Sequence, residues 1–233
     1  NGADGGAALS TTSLMTALAK HGVSSSAVCH DAGSPEARRR LEDATEGRVV
    51  FTDLFWWNRK TRSALWKRPI HAALQAARTG LAAGSTTRVV AAARRFGVDL
   101  IHTNTILTPE GGFAAAVLGL PHVWHVRALV GAGKPYRFWG EGAPFGITVS
   151  ALASALVANS QATADALRPW LPAGCVIAVV ENGIDVAPFA AAGGVRTTPV
   201  VAMVASVTSK WKKHGLFVDA LAKIGPELAL DAR

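Results

Sequence analysis

Acidic residues are the most conspicuous absence. Between Asp53 and Asp99 there is none, whereas nine lysines and arginines fall between Arg59 and Arg95. The 233 residues carry a net charge of +8, so an anionic partner suits the chain. Cysteine is scarce as well. Cys29 and Cys175 stand far apart, without the paired spacing that zinc or dithiol redox sites need. They read as reduced thiols of a cytosolic protein. No apolar run approaches the ~20 residues that span a bilayer, and the opening lacks a secretory-signal pattern. With 49% apolar and 17% charged residues there is enough to bury a core, which excludes a disordered class.

Phe55, Trp56, Trp57 and Trp66 sit among the first of the clustered cations. Three readings stay open for this stretch. A basic helix interleaved with tryptophan suits an anionic membrane surface. Nucleic acid would suit the charge. Alternatively, the tryptophans belong to the core and the cations to a solvated face. No helix-turn-helix, RNA-binding or zinc-finger pattern accompanies the charge, so no nucleic-acid partner is expected.

The chain opens on Asn1-Gly-Ala-Asp-Gly-Gly6, a glycine-rich turn running into an expected helix over 7–20. Glycines ahead of a helix let backbone N–H groups and the helix dipole meet an anion, which makes Gly5 and Gly6 candidates. Their spacing is neither a P-loop nor a dinucleotide fingerprint. A strand preceding this loop would lie before Asn1, so the opening reads as a chain joined in mid-course. Further strands are expected over 24–29, 49–52, 98–101, 122–126, 156–160 and 176–180. Helices are expected between them over 36–43, 67–77, 86–96, 111–119, 147–155 and 161–167, and 130–144 reads as a long Gly- and Pro-rich connection. Strands alternating with helices mean an α/β fold with a mainly parallel sheet.

The pattern centres on Asp99-Leu-Ile-His-Thr-Asn-Thr105 and Leu120-Pro-His-Val-Trp-His-Val-Arg127. Each run carries a strand into a loop, so His102-Thr-Asn and His125-Val-Arg are expected at one carboxyl rim. That rim is where open α/β sheets bind ligands. Ordinary loop polarity is the alternative. Residues 1–188 make one domain on this reading, and 189–198, with Ala190-Ala-Ala-Gly-Gly194, a linker. A strand over 200–205 and an amphipathic helix over 211–224 begin a second domain, 199–233. That is less than the roughly 40 residues that fold unaided, so the second domain is expected to be cut short.

In this order the pieces resemble the retaining glycosyltransferases of family 4, whose GT-B fold sets two Rossmann-like domains face to face. Gly5-Gly6-Ala-Ala-Leu-Ser10 is similar to that family's opening glycine loop. Asp99 to Thr105 resembles its "HTHS/HSNS" strand end, and Gly119 to Arg127 its "GIPVVWHVR" segment. Val157-Ala-Asn-Ser160 matches "VIANS", and Val180-Glu-Asn-Gly-Ile-Asp185 matches "VIPNGID" before the domain crossover. Lys210-Trp-Lys-Lys-His-Gly-Leu-Phe217 resembles "PWKGHDLF" at the start of the nucleotide-sugar domain.

The resemblance implies transfer of a sugar from a nucleotide-diphosphate donor to a glycan or lipid-linked acceptor, with retention. It places His125 as the catalytic residue beside the transferred sugar. Lys212, Gly5 and Gly6 would meet the donor diphosphate, and Asn104, Arg127 and Ser160 would line the acceptor side. It implies no metal and no cofactor beyond the sugar nucleotide. Location would be cytoplasmic, or peripheral at the inner face of a membrane whose anionic surface the Trp-rich segment meets. Asn182-Gly183 reads as a tight turn at the crossover. Three departures bear on activity. Ser206 stands where the family has an arginine, with Lys210 and Lys213 as the nearby cations, and Ala128 stands where an acid often follows. The family's paired glutamates are not found in residues 1–233, so little turnover is expected from this chain alone. A non-catalytic module binding an anionic glycan or membrane through the basic segment is the competing expectation.

Overall fold

The computed structural model describes residues 6–30, 33–59, 68–131, 137–138, 140–187, 201–205 and 212–228. The chain divides into two compact units, Asn1–Ile184 and Asp185–Arg233. In the first, α1 (Gly6–Ala19), β1 (Ala27–Cys29), α2 (Pro35–Ala44) and β2 (Val49–Phe51) follow one another. Then come β3 (Asn58–Arg59), α3 (Arg68–Phe96), β4 (Ile101–Thr103), α4 (Glu110–Leu118) and β5 (His122–Val126). The unit is completed by β6 (Arg137–Phe138), α5 (Ala143–Ala151), β7 (Ala155–Ala158), α6 (Gln161–Leu167) and β8 (Ile177–Val179).

Local chemistry sets most of these bounds. Ser34 caps α2 by accepting from the Ala37 N–H at 3.2 Å, with Pro35 at the first helical position, where its missing N–H costs nothing. Ser160 caps α6 in the same way through the Thr163 N–H at 3.2 Å. Gly119 closes α4 in the left-handed region, φ 67°, which glycine enters without a Cβ penalty.

β4-β5-β7-β8 form a four-stranded parallel sheet, β1-β2 a parallel pair, and β3-β6 an antiparallel pair. With helices on both faces, this is a Rossmann-like α/β fold. Register is pinned at the centre by Trp124 opposite Leu156 and Thr103 opposite Trp124.

Several expected elements move. The two helices expected over 67–77 and 86–96 are one, α3. Gly80 and Gly84 weaken a helix by about 1 kcal/mol each but do not break it, and no proline follows Pro69 within it. β4 starts at Ile101 rather than Val98, because Gly97 at φ 60° ends α3 and the Val98 N–H still bonds back to Ala93. The helix expected over 147–155 is α5, placed earlier by Pro144 in its first turn and Gly142 at its cap. β3 and β6 were not expected.

The main core gathers Ile106, Trp124, Val126, Phe138, Phe145 and Val149, with Trp56 and Trp57 packed against it. Trp57 stacks on Trp124 with ring centroids 5.6 Å apart and planes 13° from parallel, and donates its Nε1–H to the Ile106 carbonyl at 2.6 Å. Trp56 and Trp57 are thus partly buried against the core, Trp57 on the aromatic face of Trp124. Trp66, Lys60, Arg62 and Lys67 lie outside the described residues.

In the second unit, α7 (His214–Leu228) replaces the helix expected from Trp211, which lies outside the described residues together with Ser206, Lys210 and the linker 189–198. Val201 to Ala205, expected as strand, form no ladder among the described residues.

Candidate functional site

Four chain segments meet at the carboxyl rim of the sheet, and Arg127 ties them together. It directly follows β5. Its Nε–H donates to Asn104 Oδ1 at 2.6 Å, just past β4. Nη1 donates to Ser10 Oγ on α1 at 3.0 Å and to Asn182 Oδ1 beyond β8. Nη2 faces His125 Nδ1 at 3.4 Å. Asn104 turns its amide N–H₂ to Thr11 Oγ1, and Ser10 donates to Asn182 Oδ1 at 3.2 Å. Four of the five guanidinium N–H groups are thus engaged among the described residues. Every partner is neutral, and among the described residues no carboxylate pairs with Arg127. Among the described residues the positive charge of the frame is uncompensated, which favours an anionic or hydroxyl-rich ligand.

His125 is 6% exposed, and its Nε2 meets no partner among the described residues. Its ring stacks on His102 with centroids 5.5 Å apart. Burial, then the Arg127 guanidinium, then His102 push its pKa down to about 4. It is neutral at pH 7, and as Arg127 donates to Nδ1 the remaining proton sits on Nε2. The ring therefore offers an N–H donor without a charge. His102 is lowered by burial, Arg127 and His122.

His122 has a supporting role. The Leu152 carbonyl, 2.6 Å from Nδ1, can only accept, so Nδ1 carries the proton and Nε2 accepts from Thr103 Oγ1 at 2.7 Å. Burial lowers this imidazole too. These three rings predict a pH dependence. Unfolded, each titrates near 6.5. Folded, each is held lower, so between the two values the unfolded chain binds more protons. Stability is then full above about pH 6.5 and is lost as the pH falls toward 4, His125 contributing on the order of 3 kcal/mol. Urea unfolding between pH 7 and 4 should show this slope, and His125→Gln should flatten it. An unchanged slope in that variant would remove His125 from the account.

Among the sequence candidates, the structure brings Asn104, His125 and Arg127 together. Ser160 is the α6 cap, bonded at 2.9 Å to Thr163 Oγ1, with no bond to the Arg127 frame among the described residues. Gly6 begins α1, and a Cβ there would meet nothing within 4 Å. Gly5 lies outside the described residues. Lys212 is exposed and belongs to the second unit. His102 was expected at this rim, whereas Ser10, Thr11 and Asn182 went unread as site residues. Asn182 had a usable signal, since it follows β8 as Asn104 follows β4. Among the described residues no group of three or more His, Cys, Asp or Glu could hold a metal, and no helix is long and apolar enough to cross a membrane.

Comparison with known proteins gives this geometry a family. No curated protein sequence matches the chain. Solved structures resemble it distantly. The Anabaena protein Alr3699/HepE, crystallised with UDP and with UDP and glucose, is 20% identical at a TM-score of 0.49. That match covers 80% of this chain and 43% of that one. MurG of Acinetobacter baumannii is 15% identical, TM-score 0.43, over 79% of this chain and 45% of that one. The chain thus spans less than half the length of the structures it matches. The family model described as Glycosyltransferase Family 4 matches residues 4–188, most of the chain, and the protein belongs to that family.

Proposed function

We propose that this chain supplies the acceptor-side part of a retaining glycosyltransferase that moves a sugar, most simply a hexose, from a nucleotide-diphosphate donor to a glycan or lipid-linked acceptor. The observation that carries the reading is the Arg127 frame: a cation bonded to Asn104, Ser10 and Asn182 at the sheet's carboxyl rim, beside a buried imidazole with a spare N–H. Breaking the donor's glycosidic bond leaves negative charge on the diphosphate and positive charge on the sugar ring. A neutral His125 suits the second of these. It can hold a sugar hydroxyl without repelling the developing cation.

Lys212 and the Gly5-Gly6 loop are assigned to the diphosphate, and Ser160 to the acceptor side. No metal or cofactor is assigned beyond the sugar nucleotide. The enzyme would work in the cytoplasm or at the inner membrane face, where a lipid-linked acceptor is met. Residues 1–233 by themselves should turn over little, since the paired glutamates of the resemblance are not among them. The partial burial of Trp56 and Trp57 against the core supports this reading over the non-catalytic alternative.

The test is sugar transfer by protein expressed from its whole reading frame, across a panel of nucleotide sugars and acceptors. Arg127→Gln should lower kcat/KM about 100-fold, the loss expected of a charged contact worth ~2.7 kcal/mol in the transition state. Transfer at the unaltered rate by that variant, or no transfer with any donor, would contradict the proposal.

A further inference from the structure

Glu110 opens α4 and has no bond to the Arg127 frame among the described residues. It carries a carboxyl group yet is only 1% exposed. Its Oε1 accepts from the Phe55 N–H and from the Ser85 hydroxyl, the latter at 2.7 Å. Its Oε2 is buried with no partner among the described residues. Burial pushes the pKa of this carboxyl up, against the pull of the two donors. Among the described residues no cation is paired with it. Arg88, about one turn along α3 from Ser85, donates instead to Thr52 Oγ1 at 2.8 Å. A carboxyl buried on these terms costs free energy that an apolar side chain would not, so packing alone does not account for it.

The two donors come from separate parts of the chain. Ser85 lies within α3, and Phe55 in the segment between β2 and β3. Glu110 itself closes the loop 104–109 that leaves β4, so one oxygen clasps that loop to both. The Phe55 segment grips the same loop twice more. The Trp57 N–H donates to the Leu107 carbonyl at 3.2 Å, and its Nε1–H to the Ile106 carbonyl at 2.6 Å. Inside the loop the Leu107 N–H donates to Thr105 Oγ1 at 3.1 Å, and Asn104, next to Thr105, accepts from Arg127. We propose that Glu110 is a positioning residue for the ligand site: by clasping Phe55 and Ser85 it fixes the loop 104–109, and with it the setting of Asn104 against Arg127. The proposal rests on the reading of the Arg127 frame as a ligand site. Glu110 touches no ligand on this account and acts only through the loop.

The experiment compares the parent chain with Glu110→Ala, Glu110→Gln and Leu41→Ala by NMR, with urea unfolding alongside. Glutamine keeps an accepting oxygen and drops the charge that burial disfavours. Leu41, buried in α2, controls for a loss of stability as such. Glu110→Ala should speed amide exchange at Phe55 about 100-fold and shift the Asn104 side-chain amide signals. It should also raise the Kd for glucose 1-phosphate, read at the Arg127 N–H groups, about 10-fold. Glu110→Gln should bring all three back to within about twofold of the parent. Leu41→Ala should lower the urea midpoint and change none of them. Unmoved Phe55 and Asn104 signals or an unchanged Kd in Glu110→Ala would overturn the proposal. So would equal losses in Glu110→Gln or in Leu41→Ala. If the parent itself does not bind glucose 1-phosphate, the ligand reading fails instead, and the Phe55 and Asn104 signals still decide whether Glu110 sets the loop.

Discussion

Trp124→Ala should cost about 3–5 kcal/mol of unfolding free energy, enough to threaten folding of a domain of ordinary stability. Trp124 is 0% exposed at the centre of the main core. An indole of this size removes on the order of 200 Å² from water, which sets the scale of the lost transfer energy. Two further losses follow. The Thr105 carbonyl, which accepts from Trp124 Nε1–H at 2.7 Å, is left without that donor. Trp57 loses the face it stacks on and with it the anchor that holds the segment leading into β3. Trp124→Phe keeps an aromatic face but not the donor, and should cost less than half as much. Chemical denaturation with fluorescence from the other tryptophans separates the two variants. Equal stability of Trp124→Ala and the parent would mean that this core is wrongly assigned.

The second large effect is at Gly146 in α5. A Cβ placed there would lie 1.7 Å from the Trp170 carbonyl oxygen and 2.3 Å from its carbon. Both are backbone atoms, so no rotamer change relieves the overlap. Either α5 or the turn Arg168–Trp170 must move, and Phe145, whose ring meets Trp170 edge-on at 5.7 Å, moves with it. Gly146→Ala is expected to cost about 3 kcal/mol or more, at the upper end of overpacking effects. Gly6→Ala makes the matched control, because a Cβ there meets nothing and alanine favours helix by up to ~1 kcal/mol. Urea midpoints that fall sharply for the first and hold or rise for the second check both statements. A neutral Gly146→Ala would show that α5 does not pack as described.

How far the sequence could be read depended on the range of the interactions involved. β5 and α6 have the expected bounds, since a Pro121 start, an alternating apolar run and a Ser160 cap are local signals. That Asn104, His125 and Arg127 meet at one rim was legible for the same reason: each sits in or just past a strand whose apolar pattern is clear. β3 and β6 were not legible. Each has two residues, and their pairing of Asn58 with Phe138 joins distant parts of the chain without any local periodicity. The tryptophans show the same limit. A basic run around Trp56 and Trp57 looks alike whether the rings face a membrane or a core, and Trp124, which decides between them, lies far along the chain. Asn182 was taken as a turn residue because Asn-Gly is a turn signal, yet its side chain accepts from both Arg127 and Ser10. A residue can shape a turn and serve the rim at once.

The central claim is that the Arg127 frame is a ligand site and not merely a latch between strand ends. The most direct measurement is an NMR titration of the chain with a hexose phosphate, following Arg127 side-chain N–H groups and the His125 imidazole. The account predicts saturable shifts at both, with Arg48 and Arg168, which pair with Glu46 and Asp165 on the surface, left nearly unmoved. Shifts absent at Arg127 and His125, or spread equally over all the arginines, would contradict it.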